Sequence, residues 1–467
     1  MATGDESGNQ ETTGGWRALA RPEWLAALAV LLGGVLLQSM SVLMLATVLP
    51  TIVGELGGAA LMHWPTTAFV ASSIVAATCT GLLTAVIGAR TTFCVGAFIF
   101  GMGAVLCSLA TAMAWVIAGR FVQGFGGGLL IAVAYVLVRN TFPEHIWPRV
   151  LSLLSGMWSV SILVGPLAGG AFARYGDWRG AFVAVTAMAA LLAFGAFRVL
   201  PATPPDRSGP PPRVPADRVA LICLAIAGTS SASIVATPLA KAALIAGAFA
   251  ALAAMVAIDH RAEAPLLPSD AFSISTPTGM GLWLALLLSI TYSPLQIYVP
   301  IFLQRLHGLD PLGAGYAVAG ASLGWTAAAI VVAGAQDRVP GRLIVAGPIV
   351  MAAGLAAVAW LMPVRPVFAV VPAIVLVGAG IGMCWVFVAQ RVMSDARKGE
   401  ETVAASSIAT VQQMGFAVGA AIAGLVANAS GLADDVTAAA FWVPVSFVGF
   451  AGVAWLASLR LRFLRRT

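Results

Sequence analysis

The sequence predicts an all-α integral membrane protein, and three observations carry that expectation. Charged residues make up 9% of the chain and hydrophobic ones 60%, where a soluble domain carries about 25% charged residues. The apolar residues fall in long runs of the ~20 that a helix needs to cross the hydrocarbon layer. Between the runs the basic residues alternate: of 25 Lys and Arg, nineteen fall in one alternate set of loops and tails, five in the other, and Arg120 lies inside a run. Membrane insertion imposes such a split, with Lys and Arg retained on the cytoplasmic side. It predicts that both termini are cytoplasmic. The net charge of +6 is this bias and gives no reason to expect a nucleic-acid partner.

Residues 1–24 are polar and lack the short apolar core of a signal peptide, so they read as a cytoplasmic tail. Six apolar runs follow, near 25–53, 64–87, 91–113, 115–138, 150–172 and 180–199, which makes residues 25–200 a six-helix bundle. The stretch 201–217 is rich in proline, which removes backbone donors and stops helices, and it reads as a cytoplasmic linker. Residues 218–260 hold two further runs, near 219–236 and 239–258. Residues 261–459 hold six more, near 277–303, 313–334, 343–361, 367–389, 403–427 and 438–459, a second bundle before a basic tail at 460–467. That makes fourteen spans. Thr229, Ser230, Ser231, Ser233, Thr237 and Pro238 interrupt the middle pair, so the alternative is twelve, and removing a pair preserves the orientation of everything else.

Several chemistries are set aside by what the runs contain. The five cysteines sit within apolar runs without close spacing and read as small packing residues. The four histidines are scattered singly in loops, and no metal-ligand spacing or phosphate-binding loop is present. No cofactor is expected, and no nucleophile–base pair can be assembled, so an enzyme is not expected. Gly378-Ala-Gly380-Ile-Gly382 lies in mid-run without a preceding strand, and close helix packing explains it better than nucleotide binding.

The stretch from Ser152 to Gly170 organises the rest. No charge lies between Arg149 and Arg174, and Ser152, Gly156, Ser161, Gly165, Gly169 and Gly170 are spaced to leave a helix nearly bare. Bare faces let helices approach closely in a bilayer, where van der Waals contact drives association. Pro166 removes a backbone donor and kinks that helix. The expectation is a ridge on which one bundle tilts over the other. In the first span Gln38 and Ser41 share a face, as do Arg120 and Gln123 in the fourth. Each pair reads either as glue between helices or as the lining of a polar cavity.

These stretches together resemble the major facilitator superfamily, in particular its fourteen-span drug/proton antiporter branch. Gly165-Pro166-Leu-Ala-Gly169-Gly170 is similar to the antiporter motif of helix 5, and Arg120 with Gln123-Gly124 to the helix 4 arginine motif. Asp177-Trp178-Arg179-Gly-Ala-Phe182 resembles the segment opening helix 6, and Gln413-Met-Gly415-Phe-Ala-Val-Gly419 resembles helix 13. The resemblance implies two pseudo-repeated bundles around a midplane cavity that opens alternately to either side. It implies that Gln38, Ser41, Arg120, Gln123, Tyr292, Gln296 and Trp385 line the cavity. It implies that Gly81, Gly88, Arg90, Gly165, Pro166, Gly169 and Gly170 belong to the moving parts.

Two departures bear on mechanism. The loop after span 2 reads Gly81-Leu-Leu-Thr-Ala85-Val86-Ile-Gly88-Ala-Arg90, with Ala85 and Val86 where the family carries Asp and Arg. The membrane acid of the branch's first span is Ser41, and no carboxylate lies in a span core. Proton coupling then rests on Glu55 or His63 at the outer rim, with Glu55 also the candidate partner for Arg120. The function implied is export of a small amphipathic, drug-like organic compound across a bacterial inner membrane by a monomer, with protons as the coupling ion. The alternatives are an uncoupled facilitator or lipid or metabolite exporter, and a non-transporting membrane partner or sensor.

Overall fold

The structure is a computed structural model that describes residues 16, 19, 21–58, 61, 64–174, 177–202, 216–232, 237–262, 265–364, 366–432 and 435–464. The first six long helices are α1 (Pro22–Leu56), α2 (Trp64–Ile87), α3 (Ala89–Ser108), α4 (Met113–Thr141), α5 (Trp147–Arg174) and α6 (Trp178–Val199). Two follow between the bundles, α7 (Ala216–Ala232) and α8 (Pro238–Asp259). The last six are α9 (Pro277–His307), α10 (Pro311–Val332), α11 (Val339–Leu361), α12 (Val367–Ser394), α13 (Glu401–Ala429) and α14 (Val436–Phe463). Helices are the expected answer, because a bilayer offers no water to backbone groups left unpaired. Polar caps set several starts: Asp177 accepts from Gly180 N, Thr276 from Gly279 N, Asp310 from Gly313 N, and Asp435 from Thr437 and Ala438 N. Gly88, at a φ of 82°, makes the one-residue turn from α2 into α3.

Among the described residues fourteen α-helices are present, and twelve of them are long and apolar enough to cross a membrane. The twelve are the two sets of six; the middle pair is not among them. At 17 residues, α7 reaches about 25 Å, short of the ~30 Å hydrocarbon core. It pairs with α8 through Ala225, Ala248 and Ala251 and lies against α2 and α13. Its base is held by Arg218, 2.5 Å from Asp259, whose carboxylate also accepts from Leu266 N and Leu267 N. The Pro-rich linker falls largely outside the described residues.

The two bundles repeat one packing scheme. In the first, α4 packs on α2 and α3, α1 on α5, and α6 on α3 and α1; in the second, α12 packs on α10 and α11, α9 on α13, and α14 on α11 and α9. Matching glycines make the closest approaches. A Cβ on Gly128 would lie 2.1 Å from Ser73 O, and one on Gly126 2.5 Å from Gly96 O. In the second bundle, a Cβ on Gly378 would lie 1.8 Å from Ala321 O and one on Gly380 2.8 Å from Gly347 O. The bundles meet where α5 touches α10 and α12, and where α13 touches α2 and α4.

The small residues of α5 do not form the single ridge expected between bundles. Ser161 Oγ lies 2.5 Å from Ser39 Oγ. A Cβ on Gly165 would sit 2.9 Å from Leu43 Cβ and one on Gly169 2.1 Å from Thr47 Oγ1. These three therefore press on α1 within their own bundle, as Gly415 and Gly419 of α13 press on α9. Gly156 and Ser159 turn instead to Thr326 on α10 of the other bundle. Gly170 has nothing within 4 Å. The reason is angular: at about 100° per residue, positions 156 and 161 point some 140° apart.

Candidate functional site: an uncharged cavity between the bundles

A cavity of about 340 Å³ lies between the two bundles, and among the described residues none that lines it is charged. The first bundle contributes Gln38 of α1, Phe69 and Ser73 of α2, Tyr135 of α4, and Ser155 and Trp158 of α5. The second contributes Tyr292 and Gln296 of α9, Trp325 of α10, Trp385 of α12, and Gln413 and Phe416 of α13. Four of these rings form one wall. Tyr292 meets Trp325 at 5.3 Å between centroids and 82°, Trp325 meets Trp385 at 5.9 Å and 62°, and Tyr292 meets Phe416 at 6.2 Å. Edge-on contacts of this kind hold aromatic side chains rigid and contribute about 0.5–1.5 kcal/mol per pair. Among the described residues, Gln38 Oε1, Ser73 Oγ, Ser293 Oγ, Trp325 Nε1 and Gln413 Nε2 have no partner. Their side chains give up no protein hydrogen bond at these atoms on turning to a bound molecule.

The cavity is sealed on the face that carries the chain ends. Ser159 Oγ donates to Ser322 O at 2.8 Å and lies 2.7 Å from Thr326 Oγ1. At the rim Arg139 pairs with Glu401 at 3.6 Å. Gly81 closes the α2–α13 contact, where a Cβ would lie 2.8 Å from Ser406 Oγ. Toward the opposite face the walls at Val70 and Ile297 are exposed, and there the cavity opens. The Arg139–Glu401 pair joins the end of α4 to the start of α13, outside the 81–90 loop that lacks the charged latch. Gly88 shapes that loop, and Arg90 lies over the Phe197 ring at 5.2 Å.

Of the residues expected in the cavity, Gln38, Tyr292, Gln296 and Trp385 line it. Ser41, Arg120 and Gln123 do not. They form a fully buried network in which Arg120 Nη1 donates to Ser41 Oγ at 3.0 Å and to Gln123 Oε1 at 2.6 Å. The guanidinium also sits 4.0 Å from the centre of the Phe69 ring, and its Nε has no partner. The expected Glu55–Arg120 pair is not formed. Glu55 accepts instead from Trp178 Nε1 and Arg179 Nη1, both at 2.7 Å. The reason is proximity: the start of α6 presents two donors beside the end of α1, while Arg120 lies a full two turns inside α4. His63 lies outside the described residues. Phe69, Ser73, Tyr135, Trp158, Trp325, Gln413 and Phe416 were not expected. The Ser72-Ser73 and Gln412-Gln413 pairs inside apolar runs were the available signal for Ser73 and Gln413.

The sequence profile of the Major Facilitator Superfamily matches residues 31–420. The chain belongs to this superfamily. Membership of a transporter superfamily, with its membrane-spanning fold, makes the chain a transporter rather than an enzyme. It is 34% identical over 454 residues to a probable multidrug-efflux transporter of Mycobacterium tuberculosis (strain H37Rv), a match covering 94% of this chain and 95% of the relative. The multidrug transporter protein MdtP of Bacillus subtilis is 24% identical over 82% of this chain and 71% of its own length. Among solved structures, the human organic anion transporter MFSD10 superposes with a TM-score of 0.71 at 14% identity, covering 94% of this chain and 99% of that one. The proton:xylose symporter XylE superposes with a TM-score of 0.67 at 13% identity, covering 95% and 96%. At such identities the two structures speak to the fold alone.

Proposed function

We propose that this transporter exports a small amphipathic organic compound across a bacterial inner membrane by alternating access, one copy being sufficient. The uncharged, aromatic-walled cavity between the bundles is the observation that carries the reading. An apolar cavity with a few polar groups accepts drug-sized molecules that carry ring systems and is unsuited to a multiply charged metabolite. The efflux relative, alike over almost the whole length, supports the direction. The basic bias of alternate loops supports chain ends in the cytoplasm, and on that reading the cavity faces outward. Insertion of the α7–α8 hairpin beside α2 and α13 would complete fourteen spans.

The drive has two readings. The antiporter branch implies proton exchange, through Glu55 or His63. The cavity lining holds no carboxylate or histidine and Glu55 is tied to Trp178 and Arg179, which favours an uncoupled facilitator. Flux of uncharged aromatic solutes into proteoliposomes of the purified protein tests both. Export against a gradient under an imposed pH difference, abolished by Glu55→Gln, establishes antiport, and flux indifferent to pH difference and potential establishes the facilitator. No flux with any solute refutes transport of this class.

A further inference from the structure

Arg120 is a buried cation that the cavity does not use, and its surroundings suggest what it is kept for. It is 0% exposed and donates hydrogen bonds to two neutral side chains, Ser41 and Gln123. Among the described residues no carboxylate pairs with it, and its Nε is unpartnered. A charge buried without a counter-charge is destabilising. Packing does not require it: the corresponding place in the second bundle, four residues before the first of the three alternating glycines, is Ile374, also 0% exposed. Besides those two oxygens, the guanidinium meets the face of the Phe69 ring, at 4.0 Å. Phe69 also lines the cavity. One ring thus touches both the cavity and the cation.

We propose that Arg120 is a specificity residue for an acidic group on the transported compound, and that Phe69 is the shutter in front of it. The substrate class is an amphipathic aromatic monoanion. Its ring system lies on the Tyr292, Trp325 and Trp385 wall, and its carboxylate displaces the Phe69 face to reach the guanidinium. A carboxylate replaces a weak quadrupole contact with a charge-assisted hydrogen bond. Gly127 keeps a side chain off the edge of that ring: a Cβ there would lie 3.3 Å from Phe69 Cζ, 3.3 Å from Phe100 Cε2 and 3.0 Å from Gln38 Cγ. This rests on the reading of the cavity as the substrate site.

The test uses purified full-length protein in detergent and matched pairs of naphthalene and biphenyl carboxylic acids and their primary amides, with affinities measured by calorimetry at neutral pH. The expected result is an acid-to-amide affinity ratio above ten in the native protein. That ratio falls at least tenfold in Arg120→Gln, recovers in part in Arg120→Lys, and rises severalfold in Phe69→Leu. A folded Arg120→Gln protein with an unchanged ratio, or a native ratio near one, overturns the proposal. Where Arg120→Gln fails to fold, Phe69→Leu decides, and an unchanged ratio there overturns it. Binding of the amides without preference for the acids sinks only this inference, whereas binding of neither class by the native protein sinks the substrate-cavity reading as well.

Discussion

The two bundles share one backbone plan and spend it differently. Gly124, Gly126 and Gly128 of α4 recur as Gly378, Gly380 and Gly382 of α12, and Gly165 and Gly169 of α5 recur as Gly415 and Gly419 of α13. Each set seats its helix on the equivalent neighbour. Around that shared frame the second bundle builds a rigid wall of Tyr292, Trp325, Trp385 and Phe416. The first bundle instead buries a cation under Phe69. Packing sets the glycines in both halves, and chemistry is added only where the halves differ.

The largest expected effect attacks the shared frame. Gly378→Val places a branched side chain where even a Cβ would lie 1.8 Å from Ala321 O, and overpacking of this kind costs about 3 kcal/mol or more. Gly170→Ala, at a site with nothing within 4 Å, is its control. Size-exclusion profiles after heating should show Gly378→Val lost at temperatures that Gly170→Ala survives, and equal profiles would end the claim that glycines fix the frame.

Next comes the difference itself. Arg120→Ile gives the first bundle the residue of the second and removes a buried unpaired charge, so thermal unfolding should show a stabilisation of about 1–4 kcal/mol. A large loss of stability would instead make Arg120 a helix-pinning cation. Trp325→Ala removes the ring that contacts both Tyr292 and Trp385. Affinity for aromatic solutes should drop about tenfold by calorimetry; no change would move the binding wall elsewhere.

The smallest effect is at the rim. Arg139 and Glu401 are 29% and 28% exposed, so their pair contributes at most ~1 kcal/mol. Glu401→Gln should shift the population severalfold toward opening on the chain-end face. Spin-label distances across that face measure it, and a distribution identical to the native one would remove this pair from the closing contacts.

Much of the fold was legible because a bilayer leaves a chain few options. Apolar length and basic loops give the helix count to within the middle pair, and small residues announce close packing. Which neighbour each small residue meets was not legible: Gly165 and Gly156 look alike in sequence, yet one presses on α1 and the other on α10. The cavity was partly legible through Gln38, Tyr292, Gln296 and Trp385. Trp325 and Phe416 were missed because an aromatic residue in an apolar run carries no mark of which side it faces.

The sequence by itself determined that this chain crosses a membrane many times as helices, with one cation well inside a span and no acid in a span core, because transfer into hydrocarbon is priced residue by residue. Only the tertiary structure decided that the cation lies behind Phe69 and outside the cavity, and that Glu55 of α1 pairs with Trp178 and Arg179 of α6. Those outcomes depend on which helix faces meet, a property of pairs of helices far apart in the chain that no single stretch encodes.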